Sequence, residues 1–242
     1  MLRSLTRIRL LEGRVLHCTA TTTSSQRQTL LLRQFEVEDA WHLAPVLGRC
    51  PRRRLAAGRA VASDELRGAV LLVIESGVTA IAATAAPGRR RMTVAIAAAG
   101  DLLVPPGDCE ELAALTDAAV TLLTPLAYRA VLARPAAAGE MFERLAEAVR
   151  DRQASLATFA AVEHVTRVRD KLLQLARTHG RVTSCGVELD LPLTHQLIAQ
   201  TVGSARETVT GAIAELRREG FLVRDGRRYL LTVPPELLQE AG

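Results

Sequence analysis

Lysine is almost absent from this chain of 242 residues: it occurs once, at Lys171, so arginine supplies nearly all of the 31 basic side chains. The formal net charge is +5, which suits a polyanionic partner such as nucleic acid without demonstrating one. A GC-rich genome also favours arginine and alanine codons, and this explanation carries more weight than function for the composition as a whole.

Cysteine is scarce and scattered, with no Cys-x-x-Cys pair among Cys18, Cys50, Cys109 and Cys185. Zinc sites, cysteine-ligated iron–sulfur clusters and disulfide frameworks need closely spaced or paired cysteines. We therefore expect reduced thiols with a mainly structural role, no metal site and no cofactor.

No apolar run approaches the roughly 18 residues that a membrane helix requires. The best candidate stretches, Val70–Ile74 and Thr93–Ala99, have the length of β-strands. Charged side chains interrupt the N-terminal segment, which therefore lacks the apolar core of a signal peptide. These features predict a cytoplasmic protein without a membrane partner.

The sequence also lacks the short motifs of common enzymes: it contains no P-loop, no HExxH and no G-x-S-x-G. Its one carboxylate cluster consists of Asp108, Glu110 and Glu111. The surrounding residues are typical of a loop, so we interpret the cluster as solvated rather than catalytic. The chain is not expected to be an enzyme.

Composition divides the chain into four segments. Residues 1–33 form a basic arm, rich in threonine and serine, which we expect to be poorly ordered with at most one short helix. Residues 34–137 begin with a helical pattern over Phe35–Leu47 and continue as short apolar runs separated by glycine, proline and aspartate. Residues 138–164 are predicted to form a long helix, and residues 165–242 alternate helical segments with a terminal hairpin.

Regularly spaced short strands are typical of a β-sandwich or small β-barrel. The predicted strands are Leu55–Val61, Ala69–Ile74, Val78–Ala83, Met92–Ala97 and Ala119–Leu123. Pro87-Gly88 stands between two of these runs and is predicted to form a hairpin turn.

The long helix, predicted over Ala138–Val162, has a stripe of side chains at intervals of three and four residues. The stripe consists of Phe142, Leu145, Val149, Arg152, Leu156 and Phe159. Such a stripe packs either on a second copy of the helix or on the β-domain of the same chain. We favour a dimer, although Arg152 interrupts the apolar pattern.

The segment from Leu193 to Gly220 predicts two helices joined by a tight turn. The hydroxyl of Thr194 can cap the first helix, and Gly203 can adopt the positive φ that the turn requires. Ser204 and Glu207 have the spacing of a capping box for the second helix. Gly220 is placed to end that helix.

The second helix begins with polar residues that suit contact with DNA. A helix-turn-helix places this end of its recognition helix against base edges in the major groove. An arginine such as Arg206 matches O6 and N7 of guanine, and a carboxylate such as Glu207 accepts from N4 of cytosine. Thr208 and Thr210 lie on the same face, opposite an apolar face over Val209–Leu216.

A basic hairpin follows this helix. Asp225-Gly226 supplies the positive φ of a tight turn between two short strands. Arg224, Arg227 and Arg228 flank that turn and are placed to meet DNA phosphates. The module is therefore predicted to be a winged helix-turn-helix.

These residues resemble the Crp/Fnr family of bacterial transcription regulators. The strongest match comprises Leu191-Pro-Leu-Thr-His-Gln, Arg206-Glu-Thr-Val and Leu216-Arg-Arg-Glu-Gly-Phe-Leu. A weaker match to the family's cyclic-nucleotide-binding-type β-roll comprises Ala57-Gly58, Glu75-Ser76-Gly77-Val78, Gly100-Asp101-Leu102 and Leu115-Thr116-Asp117. The resemblance implies an α+β fold with an N-terminal jelly-roll domain, a long dimerisation helix and a C-terminal winged helix-turn-helix.

The resemblance also implies a function: sequence-specific transcription regulation by a homodimer bound to double-stranded DNA at a two-fold symmetric operator, with RNA polymerase as a further partner. Arg206 and Glu207 would contact bases. Contacts to the DNA are expected in addition from Thr194, His195, Gln196, Ser204, Thr208, Thr210, Arg227 and Arg228.

Two departures from the family pattern limit what the resemblance implies. Gly211 stands where many members have a second base-contacting arginine, so the operator should differ from the familiar TGTGA half-site. In the β-domain, Leu103-Val104-Pro105-Pro106 replaces the usual Gly-Glu pair, and the Arg-Ser-Ala stretch that holds a cyclic phosphate is missing. Cyclic AMP dependence is therefore not expected.

The effector, if there is one, stays open. The alternative to a ligand-free regulator is one gated by a cyclic dinucleotide, another anionic nucleotide or haem bound in the β-roll. The arginine runs Arg52–Arg54 and Arg89–Arg91 and the scattered histidines leave this alternative open, although solvated edges and ordinary surface or core histidines explain them more simply.

Overall fold

The computed structural model describes residues 7–11, 14–18, 42–84, 91–158, 163–225 and 228–233. Within the N-terminal arm, β1 (Arg7–Leu11) and β2 (Arg14–Cys18) pair as an antiparallel hairpin. The short helix expected in the arm is therefore wrong for these residues. Of the helix predicted over Phe35–Leu47, the structure shows four residues as α1 (Ala44–Leu47); the two residues before it form a turn, and residues 35–41 lie outside the described part of the chain.

Two four-stranded antiparallel sheets form the predicted β-roll. One has the order β3 (Arg52–Leu55), β10 (Ala118–Leu123), β5 (Leu71–Ser76), β8 (Leu102–Leu103). The other has the order β4 (Ala60–Ala62), β9 (Glu110–Ala114), β6 (Val78–Thr84), β7 (Arg91–Ala98). Alternate side chains from both sheets fill the space between them, and the fully buried ones include Leu72, Ile74, Ile81, Leu112 and Val120.

Four of the five predicted strands are confirmed as β5, β6, β7 and β10. The prediction of one strand over Leu55–Val61 is wrong, because the chain turns at Gly58 with φ of +84° and so separates β3 from β4. Glu110 and Glu111 were assigned to a loop, but they belong to β9, whose alternate residues Leu112 and Ala114 are buried.

The long helix is confirmed. After α2 (Pro125–Leu132), α3 runs over Pro135–Thr158 and has 24 residues, a length of about 36 Å. It begins at Pro135 rather than at Ala138, since proline is well tolerated in the first turn of a helix. Residues 159–162, where the sequence places its end, lie outside the described part of the chain.

The C-terminal part contains three helices and a four-stranded antiparallel sheet. The helices are α4 (His164–His179), α5 (His195–Val202) and α6 (Arg206–Arg218). The sheet has the order β11 (Gly180–Thr183), β12 (Gly186–Leu189), β14 (Arg228–Leu231), β13 (Leu222–Asp225). The hairpin of β11 and β12 was not predicted. The core between the helices and the sheet includes Leu172, Leu189, Ile198 and Leu216.

The C-terminal part packs on the β-roll of the same chain. Helix α5 lies against β7, and Val78, Ile96 and Leu115 of the β-roll contact the C-terminal core. Nδ1 of His179, at the end of α4, lies 3.9 Å from a carboxylate oxygen of Asp101. The helix-turn-helix is therefore held against the sheet that contains β7.

Candidate nucleic-acid interface

The turn between α5 and α6 has the geometry that the sequence predicts. Thr194 is the N-cap of α5, and its hydroxyl oxygen accepts a hydrogen bond from the backbone N–H of Leu197 at 3.0 Å. Gly203 ends α5 in the left-handed conformation, with φ of +64°. Gly220 follows α6 with φ of +75°, which ends the helix as expected.

The predicted capping box is wrong. The N-cap of α6 is Ala205, one residue after Ser204, and it has no side-chain cap; Glu207 therefore occupies the second helical position instead of the third, and Ser204 does not cap the helix. The Ser204 hydroxyl instead lies 3.0 Å from Nδ1 of His164 in α4, and Ser204 is 7% exposed. In this conformation Ser204 fastens the turn to α4, and its side chain has little access to DNA.

The first turn of α6 presents its polar side chains outward. Arg206 and Glu207 are exposed and Thr208 is half-buried. On the opposite side of the helix, Val209, Ala212, Ile213 and Leu216 are buried in the C-terminal core. Glu207 also places a negative charge in the first turn, where the helix dipole favours it. A groove of DNA could therefore reach Arg206 and Glu207, whose base contacts stay predictions.

His195, Thr210 and Arg224 form one hydrogen-bonded group beside this turn. Nδ1 of His195 lies 2.9 Å from the Thr210 hydroxyl, and Nε2 lies 3.3 Å from Nη1 of Arg224. Thr210 also donates its hydroxyl to the backbone carbonyl of Arg206 at 2.9 Å. Burial, followed by the charges of Arg224 and Arg206, lowers the pKa of His195.

The wing is anchored by a buried carboxylate. Glu188 in β12 is 3% exposed and forms ion pairs with Arg181 at 2.5 Å and with Arg228 at 3.4 Å. Arg228 also lies 3.3 Å from Asp190. A phosphate contact by Arg228 would compete with these two carboxylates, whereas Arg227 and Gly226 lie outside the described residues.

A recess of about 450 Å³ lies between the start of β7 and the helix-turn-helix, beside the contact of α5 with β7. Its walls include Arg91 and Met92 from β7 and Gln196, Gln200 and Arg206 from the C-terminal part. Arg91 is itself paired with Glu111 of β9. Gln196 lines this recess and is exposed, and exposure is what the predicted phosphate contact requires.

The side chains of the stripe along α3 lie in two different environments. Phe142, Val149 and Leu156, spaced seven residues apart, are 72%, 54% and 68% exposed. Leu145 instead packs partly against the core beneath α3, and Arg152 is half-buried. Phe159 lies outside the described residues. One face of α3 therefore packs on the β-roll of the same chain, which was one of the two alternatives for the stripe. A second apolar face is left exposed.

A cavity of about 390 Å³ lies where the β-roll, α3 and α4 meet. Its wall combines apolar residues of β7 with many polar side chains, among them Asp101, Arg144, Asp151, Arg152, Ser155, Lys171, Gln174, Arg177, Thr178 and His179. The volume falls in the lower part of the range for small-molecule sites.

Lys171, the one lysine of the chain, is buried in this wall and is 5% exposed. Its ammonium group donates to Ser155 of α3 at 2.8 Å and to Gln174 at 2.9 Å. Gln174 donates in turn to the backbone carbonyl of Asp151 at 2.6 Å. Both acceptors of Lys171 are uncharged, so burial lowers its pKa from 10.5 to about 8. Sequence reasoning missed this network, since its partners are distant along the chain.

Replacing Lys171 by methionine should remove a pH dependence of stability. The pKa of Lys171 is lower in the folded chain than in the unfolded chain, which therefore binds more protons between pH 8 and 10.5. The free energy of unfolding of the wild type should rise over this range by about 3 kcal/mol relative to Lys171→Met. Urea denaturation at a series of pH values measures the difference, and parallel curves for the two proteins would contradict the buried ammonium.

No described helix is long and apolar enough to cross a membrane. Within the described ranges, no group of three or more histidine, cysteine, aspartate or glutamate side chains could hold a metal ion.

The sequence of residues 166–241 matches the family model of the Crp-like helix-turn-helix domain. Among curated proteins, the chain is 30% identical to the global nitrogen regulator of Synechococcus elongatus over 112 residues, which are 46% of this chain and 50% of that protein. It is 31% identical to the CRP-like cAMP-activated global transcriptional regulator of Mycobacterium tuberculosis over 108 residues, 45% and 48% of the two chains. The matches thus span about half the length of these relatives.

Solved structures extend the likeness to most of the chain. A CooA mutant from Carboxydothermus hydrogenoformans superimposes with a TM-score of 0.67 at 20% identity, over 86% of this chain and 97% of that one. A CRP-family transcriptional regulator from Thermus thermophilus superimposes with a TM-score of 0.58 at 27% identity, over 78% and 96%. The fold of this chain is therefore similar to the folds of these proteins.

Proposed function

We propose that this chain is a transcription regulator of the Crp/Fnr type that binds double-stranded DNA in a sequence-specific manner. It acts as a homodimer on a two-fold symmetric operator in the cytoplasm, without enzymatic activity of its own. RNA polymerase is the partner through which binding would affect transcription.

The observation that carries the proposal is the exposed first turn of α6. Arg206 and Glu207 are exposed on one face of α6, and the other face of this helix is fixed in a hydrophobic core. A rigid helix with an exposed guanidinium and carboxylate at its N-terminal end is suited to hydrogen-bond base edges in the major groove. Gln196 and Thr208 are placed beside it for contacts with the phosphates.

Dimerisation through α3 accounts for the exposed apolar side chains of that helix. Phe142, Val149 and Leu156 repeat every seven residues, which is the spacing of a two-stranded coiled coil. Two copies related by a two-fold axis would present two α6 helices to two half-sites, so the operator should be palindromic.

A gel shift of the full chain with genomic fragments tests the proposal. We expect a small set of fragments to be retained, with a two-fold symmetric footprint, and their affinity should fall steeply as salt rises because phosphate contacts release counterions. Equal retention of all fragments, or no retention at low salt, would contradict sequence-specific DNA binding.

The cavity between the β-roll, α3 and α4 supports a second candidate, a regulator gated by a small effector. A molecule bound there would touch Arg152 of the long helix and Lys171 of the DNA-binding part at once, so it could change how the two are held. Cyclic AMP is not the expected effector, because the arginine-containing motif for its phosphate is missing from the sequence.

Thermal unfolding with a panel of cyclic dinucleotides, other anionic nucleotides and haem tests this second candidate. A ligand at about a hundred times its dissociation constant stabilises the folded protein by about 2.7 kcal/mol, which a melting curve resolves readily. A stabilising ligand should lose its effect in Lys171→Met, whereas stabilisation that survives this change would locate the ligand elsewhere.

A further inference from the structure

The imidazole of His195 connects the three elements of the candidate interface. It belongs to the first turn of α5, its Nδ1 lies 2.9 Å from the Thr210 hydroxyl of α6, and its Nε2 lies 3.3 Å from Nη1 of Arg224 in β13. A single side chain thus contacts both the wing strand and the recognition helix.

The chemistry of the partners fixes where the imidazole proton lies. A guanidinium has only donors, so Nε2 of His195 must accept from Arg224 and cannot carry a proton. The neutral ring then has its proton on Nδ1, which donates to the Thr210 oxygen. Thr210 donates its own hydroxyl proton to the carbonyl of Arg206 at 2.9 Å. The hydrogen bonds run in one direction from Arg224 to Arg206.

Resting on the proposed function, we propose that neutral His195, in the Nδ1–H tautomer, is the positioning residue that orients the wing arginine Arg224 toward DNA. Protonation of the ring would place an N–H of His195 against an N–H of Arg224, and the connection to the wing would be lost. The protein would then bind its operator less tightly in mild acid.

The charges around His195 support this direction. Among the described residues, the charged groups that act on it are Arg224 from β13 and Arg206 from α6, both cations. Together with burial, they lower the pKa of His195 below its ordinary value of 6.5. The hydrogen-bonded arrangement is therefore intact at neutral pH and is lost as the pH falls through the lowered pKa. A role in which charged His195 binds a phosphate predicts the reverse, namely tighter binding in acid.

Nitrogen-15 NMR of the histidine rings in the full chain reports the tautomer directly. The signals of His195 are those that disappear in His195→Gln. We expect the Nδ1–H form at pH 7.5 and a titration midpoint below 6.5. An Nε2–H ring, or a midpoint above that value, would overturn the proposal. This measurement needs no DNA and so stands apart from the proposed function.

Operator affinity at pH 7.5 and 5.5 tests the functional part. Wild type should lose about tenfold over this range, the effect of one hydrogen bond to a charged group. The amide of His195→Gln can accept from Arg224 and donate to Thr210 without titrating, so its affinity should be pH-independent, while His195→Ala should be weak at both values. His42→Gln, remote from the interface, should keep the wild-type loss. Tighter binding in acid, or a wild-type profile in His195→Gln, would overturn the proposal.

Discussion

Replacing Val149 and Leu156 together by glutamate is expected to convert the chain into a monomer and to reduce its affinity for a full operator by more than about a hundredfold. Both side chains are more than half exposed in the single chain, so the change should leave its fold intact. In a dimer they would be buried against their counterparts, where the added carboxylates would repel one another and lose their hydration. Each monomer would then hold one half-site alone.

Sedimentation equilibrium gives the mass of the double variant, and a gel shift gives its affinity for the full operator. Arg150→Glu is the matched control, because Arg150 is also exposed on α3 but lies off the stripe. The control should stay dimeric and bind normally. A double variant that remains dimeric would show that α3 is not the dimer interface, and a monomer with unchanged affinity would show that dimerisation is not needed for binding.

Arg206→Ala is expected to weaken binding to the cognate operator by about 1–3 kcal/mol, or roughly five- to 150-fold per half-site. The arginine is exposed at the first position of α6, and its two parallel donors would pair with one guanine. Their removal should relax the base preference at that one position and leave binding to random DNA almost unchanged. Competition gel shifts against operators altered at single base pairs measure both effects.

Arg217→Ala is the control that removes one positive charge from α6 without removing a predicted base contact. Arg217 is exposed in the last turn of the same helix, away from the end that would enter the groove. Its replacement should weaken binding to specific and random DNA by similar, small factors. If Arg206→Ala kept the wild-type ratio between specific and random DNA, Arg206 would not be a base-contacting residue.

The helix-turn-helix could be predicted because its signals are local. The cap by Thr194 and the positive φ values of Gly203 and Gly220 depend on residues a few positions away, and each is present in the structure. The long helix and most strands of the β-roll follow in the same way from the spacing of apolar residues. Their boundaries shift by a few residues where packing decides, as at Pro135.

The sequence does not predict contacts whose partners are distant along the chain. Ser204 has the right spacing for a capping box, but its hydroxyl bonds to His164, 40 residues earlier. Arg228 lies at the wing, yet it pairs with Glu188, also 40 residues away. Thr210 is exposed and its contact with DNA stays a prediction, but its hydroxyl also contacts His195, 15 residues earlier. None of these contacts has a periodicity that the sequence displays.

Because Lys171 is buried, the rate at which its amine reacts with a reagent reports on the structure around it. Its side chain is the one lysine amine of the chain, and its contact with Ser155 closes the junction of α3 and α4. An acylating reagent can reach this amine either through the cavity or when the two helices separate, so the rate of modification measures how accessible their junction is. Mass spectrometry of a single peptide would then record whether the accessibility of the junction between the DNA-binding part and the long helix changes when DNA binds.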